Sequence, residues 1–319
     1  MYEAYYGLRE RPFDLSPNPR FLFLSKGHRE ALLHLQYGLT GRSGVTVLVG
    51  EAGTGKTTLV RAALHETAGP RATIVNLSNP TLTRSEFYEY LAAGFGFSAE
   101  AAASKSTFLR ELERGLAERS AIGGVLALIV DEAQSLPHEL LEEIRLLTNT
   151  EANGRTAAVA LVGQPELADR LNEPRLRQLK QRVALRCDLP PLDLRDTAAY
   201  IALRVRVAGG NADLLFTRDA IIAIHEYSRG IPRIMSVICD NALVTGFAAD
   251  MKPVGRDLVL EVCRDFALDQ PQPPAPRAAE GAAGDRSRPA VEGHDRTNKK
   301  AEAQPMFSGL NRPRRFSFF

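Results

Sequence analysis

Eight consecutive residues in the first fifth of the chain have the types and spacing of a loop that binds phosphate. They follow the pattern G-x-x-x-x-G-K-T and are Gly50, Glu51, Ala52, Gly53, Thr54, Gly55, Lys56 and Thr57, with Thr58 directly after them. Glycines let the backbone wrap closely around phosphate oxygens, so that successive N–H groups point inward at a helix N-terminus. Lys56 would neutralise the β- and γ-phosphates, and the Thr57 hydroxyl would bind Mg²⁺, which prefers oxygen ligands. The loop therefore predicts binding of a nucleoside triphosphate with Mg²⁺.

The residues on either side of this loop support the same interpretation. The run 45–49 is short, apolar and β-branched, as in a buried parallel strand, and helical spacing resumes over 58–64. A dinucleotide-binding G-x-G-x-x-G loop is excluded, because Thr58 stands where its last glycine would be. The guanine-recognition motif N-K-x-D is also missing, since the nearest string, Asn298-Lys299-Lys300-Ala301, lacks the acid. ATP is therefore the expected nucleotide.

Two adjacent acids form the second part of the expected site. Asp131 and Glu132 follow the continuous apolar run 125–130, which is typical of a central parallel strand with both faces covered. Carboxylates at the C-terminal end of such a strand project into the ligand crevice. We expect Asp131 to hold Mg²⁺ and Glu132 to polarise the water that attacks the γ-phosphate. The alternative is a pair of solvated acids after a buried strand.

Three further side chains are candidates for the same reaction. Gln164 follows the apolar strand predicted over 157–162, and it would orient the water or sense the γ-phosphate, or else only cap the helix that begins at Pro165.

Arg233 opens a helix and would reach the γ-phosphate, coupling nucleotide state to the angle between domains. Arg182 precedes the last strand and would act on the site of a neighbouring subunit. Arg175, Arg177 and Lys180 lie close to Arg182. For each arginine, a surface ion pair is the alternative.

The order of the elements predicts an α/β fold with a doubly wound, mostly parallel sheet. Strands are expected over 45–49, 72–77, 125–130, 157–162 and 183–187, with helices between them. Residues 1–25, rich in aromatic residues and proline, are expected to form an extended strap on the core domain 1–191. After Pro190-Pro191 only helical patterns remain, so 192–268 is a small helical domain. The segment 269–319 is poor in aliphatic residues, and we expect disorder there.

Composition limits the remaining classes of function. The chain has 319 residues, 44% of them hydrophobic, and a net charge of +2. Nine of its 40 basic and six of its 38 acidic residues lie from Asp269 onward, so the body is not a globally basic nucleic-acid binder. Three widely spaced cysteines predict buried free thiols. No apolar run is long enough for a transmembrane segment, and no signal peptide is evident, so a cytoplasmic location is expected, at most peripheral to the inner membrane.

Several short strings together resemble the AAA+ ATPases of the ExeA type, the general secretion pathway protein A family. They are Tyr6-Gly7-Leu8, Pro12-Phe13, Ser16-Pro17-Asn18-Pro19-Arg20-Phe21, the phosphate loop, Val130-Asp131-Glu132-Ala133-Gln134, Leu161-Val162-Gly163-Gln164-Pro165-Glu166-Leu167, Gln181-Arg182-Val183 and Gly230-Ile231-Pro232-Arg233. The resemblance spans about residues 1–268. It implies an αβα P-loop NTPase core with a helical lid, ATP hydrolysis, and a homo-oligomer with sites at subunit boundaries.

The resemblance leaves the biological role open between several alternatives. One is an ATP-hydrolysing motor or switch that acts on a protein partner at the envelope, in secretion or exopolysaccharide export. Another is an ATP-dependent regulator that binds duplex DNA, similar to transposition ATPases. A scaffold gated by nucleotide with little turnover is disfavoured, because both Asp131 and Glu132 are present. The terminal string 311–319 mixes arginines with aromatic residues and would dock a partner, an anionic membrane or nucleic acid, unless it is merely disordered.

Overall fold

A computed structural model describes residues 1–268 except 17, 41–43, 68–70 and 79. The tail expected over 269–319 lies outside the described residues, so its predicted disorder stays a prediction. The described chain forms one compact unit.

A five-stranded parallel sheet positions the acid pair and the phosphate loop. Its strands are β1 (Val45–Gly50), β2 (Ala72–Leu77), β3 (Val125–Val130), β6 (Ala158–Gly163) and β7 (Val183–Leu189), and β4 (Glu151–Ala152) and β5 (Arg155–Thr156) form a separate antiparallel pair. The strand order is β2-β3-β6-β1-β7, and every pairing in this sheet is parallel. The predicted sheet is confirmed, with strand ends within about two residues of the expected ones. The β4–β5 pair was not predicted.

Helices cover both faces of the sheet and continue into a helical region. Those of the first part are α1 (Tyr2–Tyr6), α2 (Lys26–Gly38), α3 (Lys56–Thr67), α4 (Arg84–Phe95), α5 (Ala99–Ala103), α6 (Lys105–Ala121), α7 (His138–Leu147), α8 (Pro165–Leu171) and α9 (Arg177–Lys180). Those of the second part are α10 (Leu194–Val207), α11 (Ala212–Leu215), α12 (Arg218–Ser228), α13 (Pro232–Ala248) and α14 (Arg256–Asp265). Short 3₁₀ turns lie at Pro19–Phe21, Ala133–Ser135 and Pro174–Leu176.

Alternation along the strands gives the sheet two apolar faces. Val47 of β1 belongs to a cluster with α4, α6, α7 and α8, whereas its neighbour Leu48 belongs to a cluster with α2 and α3. Successive side chains of a strand point to opposite faces, so a continuous apolar run such as 125–130 supplies both clusters. The result is a three-layer αβα core, which confirms the fold class expected from the sequence.

Local signals in the sequence set several helix ends. The Thr83 hydroxyl accepts from the Glu86 N–H at 3.4 Å while the Glu86 carboxylate accepts from the Thr83 N–H at 2.8 Å, which is a capping box at the start of α4. The buried carboxylate of Glu143 on α7 binds Arg84 and Lys105, each at 2.6 Å. These ion pairs tie α7, the first α-helix after the acid pair, to α4 and α6.

The N-terminal segment packs with the helical region. Residues 2–6 form a helix, so the expectation of an extended strap is wrong at its start. Tyr6 and Phe13 are buried in the same apolar cluster as α10, α12, α13 and α14. Arg204 of α10 donates to the carbonyls of Pro12 at 2.5 Å and Asp14 at 2.8 Å. The segment is therefore fastened to the helices that follow the sheet, and its aromatic residues are part of their core.

The three cysteines are free and buried, as expected. Burial raises the pKa of the Cys187 and Cys263 thiols to about 11. Protonated, buried thiols are poor nucleophiles, which agrees with a structural role. Within the described residues, no helix is both long enough and apolar enough to span a bilayer.

Candidate functional site

The phosphate loop joins the C-terminal end of β1 to the first turn of α3. Gly53 and Gly55 have φ values of +83° and +103°, which favour glycine. The Nε2 of His28 on α2 lies 3.0 Å from the carbonyl oxygen of Thr54, and the N–H of Arg233 donates to the carbonyl of Gly53 at 3.3 Å. A Cβ on Gly53 would lie 2.8 Å from the Cβ of Arg233, so glycine permits this close approach. The loop is thus held by α2 and by α13.

Lys56 is buried inside the loop. Its Nζ donates to the carbonyls of Gly50 at 2.7 Å and Glu51 at 2.9 Å. Burial lowers its pKa, while the nearby carboxylates of Glu132 and Asp131 act in the opposite direction. The two carbonyls are neutral acceptors, and a polyphosphate would offer the same ammonium stronger, charge-assisted hydrogen bonds. This lysine is therefore placed to exchange backbone acceptors for phosphate oxygens.

Thr57 and Asp131 meet directly, although 73 residues separate them in the chain. The Thr57 hydroxyl donates to Oδ2 of Asp131 at 2.7 Å, and the backbone N–H of Glu132 donates to Oδ1 at 3.0 Å. Asp131 is buried. The two residues expected to bind one metal ion are thus adjacent, because β3 and β1 end at the same edge of the sheet.

Glu132 lies beside them and has an unusual backbone conformation. Its φ is +53° and its ψ is +37°, which is the left-handed region that residues other than glycine seldom adopt. Oε2 of its carboxylate accepts from Nε2 of Gln134 at 2.6 Å and from Nε2 of Gln164 at 3.3 Å. A strained residue held by several contacts is typical of functional sites.

Gln164 connects the end of β6 to the acid pair. It is the N-cap residue of α8, but its side chain makes no capping hydrogen bond. Its amide is directed to Glu132 instead. Because β6 lies between β3 and β1 in the sheet, Gln164 is placed between the acids and the phosphate loop. This location agrees with the expected contact to the reacting water, and the role itself stays a prediction.

The two candidate arginines lie in different parts of the fold. Arg233 is the second residue of α13 and lines the cavity next to the loop. Arg182 is exposed, and its carbonyl accepts from the N–H of Val45 at 2.8 Å, at the start of β1. The structure therefore brings Arg233 to the loop and places Arg182 at the opposite end of the strands.

A cavity of about 410 Å³ extends from the phosphate loop between the N-terminal segment and α13. Its floor is the loop from Ala52 to Thr58, with Glu132 at one side. Phe21 and Phe23 contribute apolar surface from the N-terminal segment, and Tyr200 and Arg204 contribute from α10. A phosphate loop next to aromatic side chains matches a ligand that has phosphates and an aromatic base.

Several residues of this site were not singled out from the sequence. They are Gln134, His28, Phe21, Tyr200, Arg204 and Ser236. Gln134 stood inside the string Val130–Gln134 without an assigned role. Its location two positions after Glu132 was the sequence signal that could have indicated a contact with this acid. Phe21 stood inside the string Ser16–Phe21, also without an assigned role. The other four carry no local signal, because their position depends on the packing of α2, α10 and α13 against the loop.

Comparison with known proteins agrees with this arrangement. Residues 39–171 match the family described as AAA domain. The general secretion pathway protein A of Aeromonas hydrophila is 41% identical over 250 residues, which are 78% of this chain and 45% of that protein. The chain thus spans less than half the length of this curated relative. The resemblance drawn from the sequence is confirmed, and the chain belongs to the AAA ATPases of the general secretion pathway protein A type.

Solved structures support the fold. The ORC2 protein of Aeropyrum pernix superposes with a TM-score of 0.57 at 19% identity, over 80% of this chain and 71% of that chain. The Cdc6p of Pyrobaculum aerophilum gives a TM-score of 0.55 at 18% identity, over 80% and 70% of the two chains. At such identities the likeness concerns the fold alone, a parallel sheet with helices on both faces.

Proposed function

We propose that the chain binds ATP with Mg²⁺ and hydrolyses it, and that hydrolysis drives or switches a protein assembly. The observation that carries this proposal is the meeting of three strand ends. The loop after β1, the acids after β3 and Gln164 after β6 form one hydrogen-bonded cluster beside the cavity. A scaffold that only binds nucleotide has no need of a second acid fixed next to the first.

The donor set at Thr57 and Asp131 fits Mg²⁺. It offers one hydroxyl and one carboxylate, both hard oxygen ligands, and no sulfur or imidazole. Mg²⁺ is commonly held by one or two carboxylates together with substrate phosphates and water. When bound, the ion would supply charge stabilisation to the β- and γ-phosphates.

The residues of this chain have separate tasks in the proposed reaction. Lys56 and the loop N–H groups bind the phosphates and neutralise them. The free part of the Glu132 carboxylate accepts hydrogen from the attacking water and so orients and activates it. Gln164 donates near the same position and fixes the direction of attack. Because all of these groups are positioned before the reaction, little reorganisation is needed at the transition state.

Arg233 would couple the nucleotide to the helical region. Its backbone N–H already contacts the loop at Gly53, and the residue lines the cavity. Contact with the γ-phosphate would hold α13 against the loop, and loss of this phosphate would release it. Hydrolysis would thereby change the angle between the helical region and the sheet.

A pair of substitutions tests this function. Lys56→Ala removes the ammonium that binds phosphate, and we expect ATP affinity to fall by about 10- to 100-fold. Glu132→Gln keeps the size of the side chain but not its basicity, so kcat should fall by about 10²- to 10⁴-fold while the Kd for ATP changes little. Fluorescent nucleotide titration and phosphate release measure the two quantities.

A matched control is Glu113→Gln, the same chemical change at an exposed position of α6. It should leave both Kd and kcat unaltered. Normal turnover in Glu132→Gln would refute the assignment of Glu132, and normal ATP binding in Lys56→Ala would refute the loop as the nucleotide site.

For the biological setting we propose an assembly at the envelope, in secretion or exopolysaccharide export, with this chain as a homo-oligomer on the cytoplasmic side of the inner membrane. The support is the name of the relative and the 41% identity to it. The alternative, a regulator that binds DNA, can be distinguished by experiment. ATP-dependent binding to duplex DNA that weakens steeply with salt would favour a DNA-binding regulator and count against a role in an envelope assembly.

A further inference from the structure

Gln134 uses each of its polar ends in the network around the acid pair. Its Nε2 donates to Oε2 of Glu132 at 2.6 Å, and its Oε1 accepts from the backbone N–H of Gln164 at 3.1 Å. Its own carbonyl accepts from Nη1 of Arg170 on α8. One side chain thus bridges the end of β3 to the end of β6.

The orientation of this amide follows from its partners. A backbone N–H only donates, so the end of the Gln134 amide that faces Gln164 must be oxygen. The NH₂ end then faces the Glu132 carboxylate, which only accepts when ionised. The reversed amide would place oxygen against oxygen and N–H against N–H. The network therefore permits one orientation, in which Gln134 supplies a donor to Glu132.

The fit around Gln134 is close. A Cβ on Gly163 would lie 2.6 Å from Oε1 of Gln134, so glycine at the end of β6 makes room for the amide. Arg170, which binds the Gln134 carbonyl, also lies 3.4 Å from Nδ1 of His138. His138 in turn lies 2.6 Å from the Glu173 carboxylate. Gly163 and Arg170 therefore restrict the position of Gln134 from two sides.

This bridge determines which carboxylate oxygen of Glu132 remains available. Both amide donors, from Gln134 and Gln164, bind Oε2. Within the described part of the chain, Oε1 of Glu132 accepts no hydrogen bond from a side-chain amide. Oε1 is therefore the carboxylate oxygen that can accept a hydrogen bond from water. The contact also helps to hold Glu132 at its φ of +53°. Without the Gln134 donor, the carboxylate would be free to rotate and to share its hydrogen bonds between both oxygens.

We infer that Gln134 is a positioning residue, which joins the Gln164 turn to the Glu132 carboxylate and so fixes the orientation of the proposed base. This inference rests on the proposed function, because it assigns Gln134 a task within ATP hydrolysis. Gln134 itself acts through Glu132 and has no assigned contact with nucleotide.

Two substitutions separate the two halves of the bridge. Gln134→Glu keeps the acceptor for the Gln164 N–H but replaces the donor to Glu132 by an oxygen. Gln134→Met keeps a similar volume and removes both the acceptor and the donor. The matched control is Gln36→Ala, because Gln36 also donates from its amide to a carboxylate, that of Glu66, on the surface between α2 and α3.

We expect kcat to fall at least about tenfold in both Gln134 variants, while KM and the Kd for ATP stay within about threefold of the native values. Hydrogen–deuterium exchange of the peptide that contains Gln164, measured without nucleotide, should rise in Gln134→Met and stay native-like in Gln134→Glu. In the Glu132→Gln background, Gln134→Met should cause no further loss of kcat, because both changes act through the same carboxylate. Gln36→Ala should alter none of these values.

The outcomes that overturn the inference are distinct from those that overturn the function. Native kcat in Gln134→Glu would show that the donor to Glu132 is unnecessary. A parallel fall of kcat and ATP affinity would indicate a merely structural role and reject the positioning role. In both cases the native chain hydrolyses ATP, so the proposed function stands. Absence of turnover in the native chain would remove both.

Discussion

His28 shows how a single buried side chain supports the phosphate loop. Its Nδ1 lies 2.7 Å from the Ser25 hydroxyl and its Nε2 lies 3.0 Å from the Thr54 carbonyl. The Cβ position of Gly55 is 3.4 Å from the same ring. Burial lowers the pKa of His28, and the hydrogen bond to Thr54 and the charge of Asp196 only partly oppose this effect. His28 therefore stays neutral in the fold at neutral pH.

The shifted pKa of His28 predicts a pH dependence of stability. The unfolded chain takes up a proton near the ordinary value of 6.5, whereas folded His28 resists it, so the unfolded state binds more protons just below that pH. The free energy of unfolding should therefore be highest above about pH 6.5 and fall as the pH decreases toward the folded pKa. His225, whose pKa is also lowered by burial, adds to this trend.

Thermal unfolding between pH 7.5 and 5 measures this effect. His28→Gln retains an amide that can donate to the Thr54 carbonyl but does not titrate, so its Tm should fall less with decreasing pH than that of the native chain. His65→Gln, at an exposed position of α3, is the control. An equal Tm loss in His28→Gln and the native chain would contradict this prediction.

At the scale of elements, the turn before α13 decides where Arg233 is placed. Gly230 has a φ of +73°, and its carbonyl accepts from the N–H of Leu192 at 2.8 Å. A Cβ at Gly230 would lie 2.0 Å from the Leu192 carbonyl oxygen. The turn thus rests on the segment that leaves β7, and this contact sets the start of α13 next to Gly53.

Comparing alanine substitutions at Gly96 and Gly230 distinguishes the energetic cost of backbone strain from that of a steric clash. Gly96 has the same φ of +73°, but a Cβ there would have no neighbour within 4 Å. Gly96→Ala should cost about 1 kcal/mol, the strain of a left-handed alanine. Gly230→Ala should cost about 2 kcal/mol more, because the backbone of residue 192 must also move. It should also weaken ATP binding, since α13 shifts from the loop.

Urea denaturation and nucleotide titration of the two variants provide the measurement. Equal stability losses in Gly96→Ala and Gly230→Ala would show that the contact with Leu192 is not limiting. Native ATP affinity in Gly230→Ala would show that the placement of α13 does not control the site.

At the scale of the whole molecule, the position of Arg182 bears on assembly. Arg182 lies at the start of β1 and β7, whereas the phosphate loop lies at their other end. At about 3.3 Å per residue, the five steps from Val45 to Gly50 span about 16 Å, which is beyond the reach of an arginine side chain. If Arg182 takes part in hydrolysis, it must do so at the site of a second copy of this chain.

Mixing two inactive variants tests this arrangement. An Arg182→Ala subunit keeps its own Glu132, and a neighbouring Glu132→Gln subunit would supply the missing arginine. Mixtures in equal amounts should therefore recover up to about a quarter of the native ATPase activity, whereas each variant alone stays inactive. Arg186→Ala, in the strand β7 that follows Arg182 and paired with Asp188, is the control and should be active alone. A mixture without recovered activity would contradict a role of Arg182 across subunits.

The parts of the site that the sequence revealed are those with a local cause. The loop pattern from Gly50 to Thr57 follows from the needs of phosphate binding, and Asp131 and Glu132 follow a run that only a buried strand explains. Such signals lie within about ten neighbouring residues, so no knowledge of the fold was needed. Strand ends and the capping box at Thr83 were predictable for the same reason.

The strand order, and with it the meeting of Thr57 with Asp131, was decided by the tertiary structure. The tertiary structure also decided three further contacts. They are the position of Gln134 between Glu132 and Gln164, the contact of His28 with Thr54, and the packing of the N-terminal aromatic residues with α10 to α14. Each of these contacts joins groups whose approach depends on how whole helices and strands pack. The sequence by itself determined which chemistry is available to this protein, and the packing of its two apolar faces and its helical region determined which side chains are brought together to perform it.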